Sequence, residues 1–142
     1  MVDPGRLRAL LERLGEETGH LRRLAAGDPA ALADPDVMAA VKYRFVVAIE
    51  TCVDVGQHVI SSEELRAPTD YADVFAVLGD ARFLPAEIAP ALQDMARFRN
   101  LLVHGYLSVD DERVVEILRT RLGDLDAFRA ALARTALEGP PA

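Results

Sequence analysis

Residues 34–61, DPDVMAAVKYRFVVAIETCVDVGQHVIS, decide the fold. Asp34 followed by Pro35 is a helix start, because the carboxylate can accept the first orphan amides and proline's fixed φ suits the first helical position. From there Val37, Val41, Phe45, Ala48, Cys52, Val55 and Val59 recur every three or four residues, the spacing of one buried helical face. The pattern predicts one long helix from about Asp34 to about Ser61. No run elsewhere in the chain alternates as a strand would.

On the N-terminal side, Leu7, Leu10, Leu11, Leu14, Leu21 and Leu24 form the stripe of a leading helix that ends near Gly27, the expected left-handed stop; Asp28-Pro29 is a second cap-then-proline signal. On the C-terminal side, Asp70 is expected to cap a short helix carrying Tyr71, Val74, Phe75 and Leu78. A fourth helix runs from the Leu84-Pro85 region to His104, with Ile88, Leu92, Met95, Phe98 and Leu102 inward. Pro90 either kinks it or marks a separate first turn with Ala89 as the cap. Gly105 reads as its left-handed terminator. Asp110 or Asp111 caps one last helix through Val114, Val115, Leu118, Leu122, Leu125, Phe128 and Leu132, weakened in its middle by Gly123. The short connections predict an all-α, up-and-down bundle of four to five helices.

The chain's 142 residues are 51% hydrophobic and 27% charged, which suits a single domain spanning residues 1–142. Within it, about residues 1–33 form a leading helix and connection, and 138–142 a frayed tail. The longest strictly apolar stretch, Phe45 to Ile49, is far below the ~18 residues of a membrane span. The opening Met-Val-Asp-Pro-Gly-Arg lacks a basic-then-apolar signal pattern, so a cytoplasmic location without membrane contact is expected. One cysteine, Cys52, excludes an internal disulfide framework and is read as packing. With only His20, His58 and His104 besides, no metal site is expected. His20 is read as a surface residue. With 16 Lys+Arg against 23 Asp+Glu, the net charge of −7 disfavours broad coating of nucleic acid, but it allows a small cationic site.

The densest polar group in an apolar frame is Arg97-Phe-Arg99-Asn100-Leu-Leu-Val-His104-Gly-Tyr106. Arg99 and Asn100 offer planar, multi-donor groups that suit phosphate oxygens. His104 is the residue type that exchanges protons near neutrality, and a helix C-terminus favours its protonated form. Against this, a cation at a helix C-terminus also has an ordinary capping explanation.

This string resembles the R-x-x-x-x-H-x-Y signature of HEPN-domain ribonuclease toxins of the HepT family. The likeness extends upstream through Glu50-Thr-Cys-Val-Asp54-Val-Gly-Gln-His58-Val-Ile60 and Pro68-Thr-Asp-Tyr71-Ala-Asp-Val-Phe75-Ala-Val-Leu78. Downstream it takes in Val114-Val-Glu-Ile-Leu118 and Leu125-Asp-Ala-Phe128, so that it covers about Val41 to Ala133. The resemblance implies a helical homodimer with metal-independent endoribonuclease activity, no cofactor, an RNA substrate and a cognate nucleotidyltransferase antitoxin. It implies that Arg99 and His104 are the catalytic pair, Asn100 their polar neighbour, and Tyr106 the tyrosine that the antitoxin modifies with AMP. Tyr106 also has the plainer reading of packing the bundle end.

RNA can be cut without a metal because its own 2′-hydroxyl can attack the adjacent phosphorus. The protein must then help to remove that proton, stabilise the phosphoryl oxygens and protonate the leaving oxygen. One imidazole cannot easily do both proton transfers, so a composite cleft on a twofold axis is expected, with a second Arg99 and His104 opposite the first. Glu50, Asp54 and His58 fall in one column on the long helix. Asp54, with Glu50 and Arg97 nearby, is a candidate for orienting Arg99 or His104 from behind. The more ordinary reading is a polar column satisfied by solvent or interhelical pairing, and a metal site is supported by spacing alone. Two other classes of function compete: a catalytically idle binding partner and substrate of a nucleotidyltransferase, and a plain helical dimerisation module.

Overall fold

Aspartates start most of the helices. In the computed structural model, which describes residues 2–105 and 108–138, Asp3 accepts from the amides of Gly5 (3.0 Å) and Arg6 (3.2 Å) ahead of α1 (Pro4–Ala26). Asp28 accepts from Ala30 (2.9 Å) ahead of a 3-10 turn, Pro29–Ala33. Asp34 accepts from Asp36 (2.8 Å) ahead of α2 (Pro35–Ser62), and Asp70 from Asp73 (2.7 Å) ahead of α3 (Tyr71–Asp80). Three of these caps are Asp-Pro pairs, which combine a side-chain acceptor with a pre-set backbone; each cap contributes about 1 kcal/mol. α4 (Ala89–His104) has no side-chain cap. Ile88, not Ala89, is its N-cap, and Pro90 sits inside the first turn, where no intrahelical amide bond is lost and no kink is needed.

After α4, Asp110 accepts from Glu112 (2.9 Å) to start α5 (Asp111–Thr120), and α6 (Leu122–Glu138) closes the bundle. The single last helix expected from the sequence is therefore two, giving six α-helices among the described residues. The break falls at Arg121 (φ −118°, ψ 2°), whose side chain bonds Asp124 (2.6 Å), and not in the middle of the helix at Gly123, which lies in the first turn of α6. Apolar periodicity carries no sign of it, because Leu118, Leu122 and Leu125 stay buried straight across the break.

The helix stops also differ from expectation. Gly27 is extended (φ −70°, ψ −178°) and Gly105 has φ −123°, so neither is left-handed. The left-handed positions are Glu64 (φ 54°) after α2 and Arg82 (φ 69°) after α3. In each, the following amide reaches back along the chain, Leu65 to Ile60 O and Phe83 to Leu78 O, both 2.9 Å. That bond satisfies a terminal carbonyl and turns an apolar side chain toward the core.

Pairings fix the topology. Arg44 bonds Glu17 (3.1 Å) and the Asp3 amide donates to His58 Nε2 (3.3 Å), so α1 and α2 run antiparallel. Tyr71 lies beside Arg99 and Gly79 beside Ala89, so α3 and α4 are antiparallel as well. α6 packs against α1, tied by Arg129 Nε to Leu11 O (2.8 Å) and by an Arg22–Asp126 ion pair. One buried cluster runs from Val2 to Leu132, with edge-to-face ring pairs Phe45–Phe98 (5.3 Å) and Phe75–Phe128 (5.6 Å). Gly56 is buried where α2 meets α3. A Cβ there would fall inside contact distance of Val74 Cγ1 and 3.1 Å from Leu78 Cδ1, so only glycine allows this approach. Among the described residues no strand occurs, and no helix is long and apolar enough to cross a membrane.

Candidate active site at the end of the fourth helix

α4 projects its polar residues in different directions. Successive helical residues are about 100° apart, so Arg99 and His104 point about 140° apart around the axis, while Asn100 and His104, one turn apart, share a face. Arg99 turns inward. Its Nε and Nη2 both donate to Glu50 Oε1 of α2 (3.0 and 2.6 Å), and its guanidinium carbon lies 4.9 Å from the centre of the Tyr71 ring on α3. Nη1 donates to Asn100 Oδ1 (3.1 Å). The Arg99 side chain is only 14% exposed and Glu50 40%. Of the five guanidinium N–H groups, three are used and two have no partner among the described residues.

That hydrogen bond also orients Asn100. Arginine only donates, so the atom facing it must be the amide oxygen, which leaves the two Asn100 N–H donors facing outward on an exposed residue. His104 is the last residue of α4 and is exposed, with no hydrogen bond among the described residues. Leu101 (44% exposed) and Val103 (38%) lie beside it. With Tyr43 on α2 (62%), they are the exposed large apolar side chains of the described chain.

The Glu50, Asp54 and His58 column does not act as one group. Glu50, rather than Asp54, holds Arg99; His58 accepts the Asp3 amide at the start of α1. Asp54 is exposed and forms no hydrogen bond among the described residues. Partial burial, then the charge of Glu50, raise its carboxyl above the usual range, against the opposing pull of Arg6 and Arg13. Among the described residues no group of three or more metal-ligating side chains converges. Arg97, about 200° around α4 from Arg99, is exposed and pairs with Asp94 on its own helix (3.1 Å). His20 is half-buried against Arg23. Cys52 is buried, and that burial pushes its thiol far up, which makes it an inert packing group. Tyr106 lies outside the described residues.

Tyr71 is a site residue that the sequence does not reveal. By its spacing it is the first apolar position of a short helix, and only the α3–α4 pairing brings its ring under Arg99.

The chain belongs to the ribonuclease HepT-like family, whose pattern it matches over residues 14–132. It is 27% identical over 79 residues to the mRNA nuclease HepT of Shewanella oneidensis, a match covering 56% of this chain and 59% of that protein. It is also 27% identical over 104 residues to a putative RNase of Archaeoglobus fulgidus, covering 73% and 78%. The chain thus spans less than two thirds of the length of the first of these relatives. Among solved structures it is similar to the cytosolic protein YutE of Bacillus subtilis (TM-score 0.82, 19% identity, 99% and 96% of the two chains). It is similar too to the tri-AMPylated HEPN toxin of Shewanella oneidensis in complex with its MNT antitoxin (TM-score 0.84, 19% identity, 91% and 97%). At these identities the structural likeness concerns the fold.

Proposed function

We propose that the chain is a metal-independent endoribonuclease toxin that acts as a homodimer and is silenced by a nucleotidyltransferase that attaches AMP to Tyr106. The observation that carries this reading is Arg99 braced between Glu50 and Tyr71, with Asn100 and His104 exposed beside it on one helix end. Membership of a ribonuclease family supports it, as does the likeness in fold to the AMPylated Shewanella toxin bound to its antitoxin.

In the proposed reaction the ribose 2′-oxygen bonds to phosphorus and the bond from phosphorus to the 5′-oxygen breaks. The products are a 2′,3′-cyclic phosphate and a free 5′-hydroxyl. One His104 takes the 2′-hydroxyl proton and the His104 of a second copy protonates the departing 5′-oxygen. The spare N–H groups of Arg99 and Asn100 bind the phosphoryl oxygens as their charge grows. Two copies place these groups face to face about a twofold axis, and the exposed apolar side chains of Tyr43 and Val103 supply surface for that contact. An AMP group on Tyr106 adds bulk and negative charge where the RNA phosphate would sit.

The test is expression of wild type and His104→Ala in cells, with growth and RNA integrity followed. Arrest and cleavage by wild type alone, unaffected by EDTA in vitro, support the nuclease; identical behaviour of the two proteins overturns it. Intact mass after co-expression with the nucleotidyltransferase should rise by whole AMP units in wild type and not in Tyr106→Phe. Light scattering should give twice the chain mass. A second reading, an idle partner and substrate of the nucleotidyltransferase, is favoured by the net charge of −7 and by Glu50 neutralising Arg99. It predicts the mass gain without RNA cleavage.

A further inference from the structure

On the side of α4 away from Arg99, a groove of about 350 Å³ runs between α4 and α5, lined by Arg97, Arg113 and Arg121, by the carboxylate of Asp94, and by apolar residues that include Leu101 and Ile117. The three arginines are not scattered. Arg113, Ile117 and Arg121 stand at i, i+4 and i+8 along one column, so the two guanidiniums start about 12 Å apart. On the opposite wall, Arg97 and His104 are seven residues apart, which puts them within about 20° of one another on α4 and about 10.5 Å apart along its axis. Leu101 lies between them. The exposed ridge that forms one wall of the groove therefore ends in the imidazole.

Each arginine spends one N–H on a carboxylate three residues away: Arg97 on Asp94 (3.1 Å), Arg113 on Glu116 (2.8 Å) and Arg121 on Asp124 (2.6 Å). Among the described residues the other four N–H groups of each fork have no partner. Arg97 and Arg113 are more than half exposed (63% and 54%) and Arg121 is 30% exposed. Exposed pairs of this kind are weak, and a phosphate that accepts two N–H bonds from a guanidinium competes well with them. A chain with net charge −7 has no general attraction for nucleic acid, so a strand must be held at a local site.

We infer that this groove holds the RNA strand beyond the cleaved bond, its phosphates on Arg97, Arg113 and Arg121 and its sugars and bases over the apolar lining. The inference rests on the ribonuclease reading and adds to it a track outside the reacting residues. It makes affinity depend on strand length, because a substrate too short to reach the groove cannot use these three arginines, although it still meets Arg99 and His104.

The test uses the full chain carrying His104→Ala, which binds without cutting, and fluorescein-labelled single-stranded RNA of mixed sequence. Adding Arg113→Gln and Arg121→Gln should weaken binding about tenfold. It should also make the slope of log affinity against log salt shallower by about 1.4, or about 0.7 for each phosphate of a single strand that is no longer neutralised. Arg119→Gln with Arg134→Gln, which removes the same charge elsewhere, should leave both values close to the parent. In the protein with His104 intact, the Arg113/Arg121 pair should raise KM for long RNA with kcat unchanged, and should leave a dinucleotide substrate unaffected. If RNA is cut by wild type but the groove variant binds with the parent's affinity and salt slope, the inference fails while the nuclease reading stands. If the groove variant instead loses only association with the nucleotidyltransferase or with a second copy, the groove is a protein interface and the inference is equally overturned. If wild type cuts no RNA, it is the ribonuclease reading that has failed.

Discussion

Removing Glu50 leaves a guanidinium that is 14% exposed with its strongest partner gone. Two charge-assisted hydrogen bonds disappear, at 3.0 and 2.6 Å, both to Oε1. Hydrogen bonds to charged groups contribute about 1.5–3 kcal/mol each when well shielded, but Glu50 is 40% exposed and solvent screens part of this. The cation–π contact with Tyr71 and the bond to Asn100 remain to hold Arg99. We therefore expect Glu50→Ala to cost about 2 kcal/mol, with about 1–2 kcal/mol of that as coupling to Arg99. For a chain of this size the single variant should lower Tm by about 6 °C. Urea unfolding of wild type, Glu50→Ala, Arg99→Ala and the double variant, at unchanged m-value, measures the coupling. Glu50→Gln keeps one carbonyl acceptor and should retain part of it. A coupling below about 0.3 kcal/mol would mean that the pair contributes no more than an exposed ion pair, and would refute the idea that Glu50 sets the position of Arg99.

Gly56→Ala should destabilise by about 1–3 kcal/mol in the same assay, because its Cβ meets the fully buried Val74 and Leu78 with no room to relax. Glu64→Gly and Arg82→Gly should each be neutral to stabilising, by up to about 1 kcal/mol, because both positions have positive φ at helix ends where glycine is usual. Asp73 accepts from the Arg66 guanidinium (2.7 and 2.9 Å) and the Thr69 amide (2.9 Å), which hold its carboxyl well below the usual range. Its folded-state value lies below the unfolded one, so its contribution is present above about pH 4 and is lost as pH falls toward the folded value; Asp73→Asn should flatten the acid limb of a stability–pH curve. Cys52 should resist thiol reagents in native buffer and react fully in urea, since burial both hides the sulfur and disfavours its thiolate.

Much of this protein is local in origin. Asp34-Pro35 and the stripe from Val41 to Val59 specify α2 without help from the rest of the chain, because a cap and a 3.6-residue apolar period depend only on neighbours along the backbone. The same holds for Asp70 before α3 and Asp110 before α5, and for the helical, family-specific character of Arg99-Asn100-Leu-Leu-Val-His104. What the sequence leaves open is how the chain turns at helix ends and which polar groups meet. Glycines 27 and 105 are the natural left-handed stops, yet Glu64 and Arg82 take that conformation, because Leu65 and Phe83 gain burial by it and the core outweighs a local preference of about 1–2 kcal/mol. The break at Arg121 is silent in the apolar pattern for a similar reason.

The composition, the aspartate-capped helix starts and the polar cluster from Arg97 to His104 are thus determined by the sequence itself. Tertiary structure alone decides that Glu50 rather than Asp54 faces Arg99 and that Tyr71 lies beneath it. Those pairings join residues as many as 49 positions apart. They depend on the crossing of α2, α3 and α4, which is set by how Phe45, Phe98 and Gly56 pack and is written in no single segment of the chain.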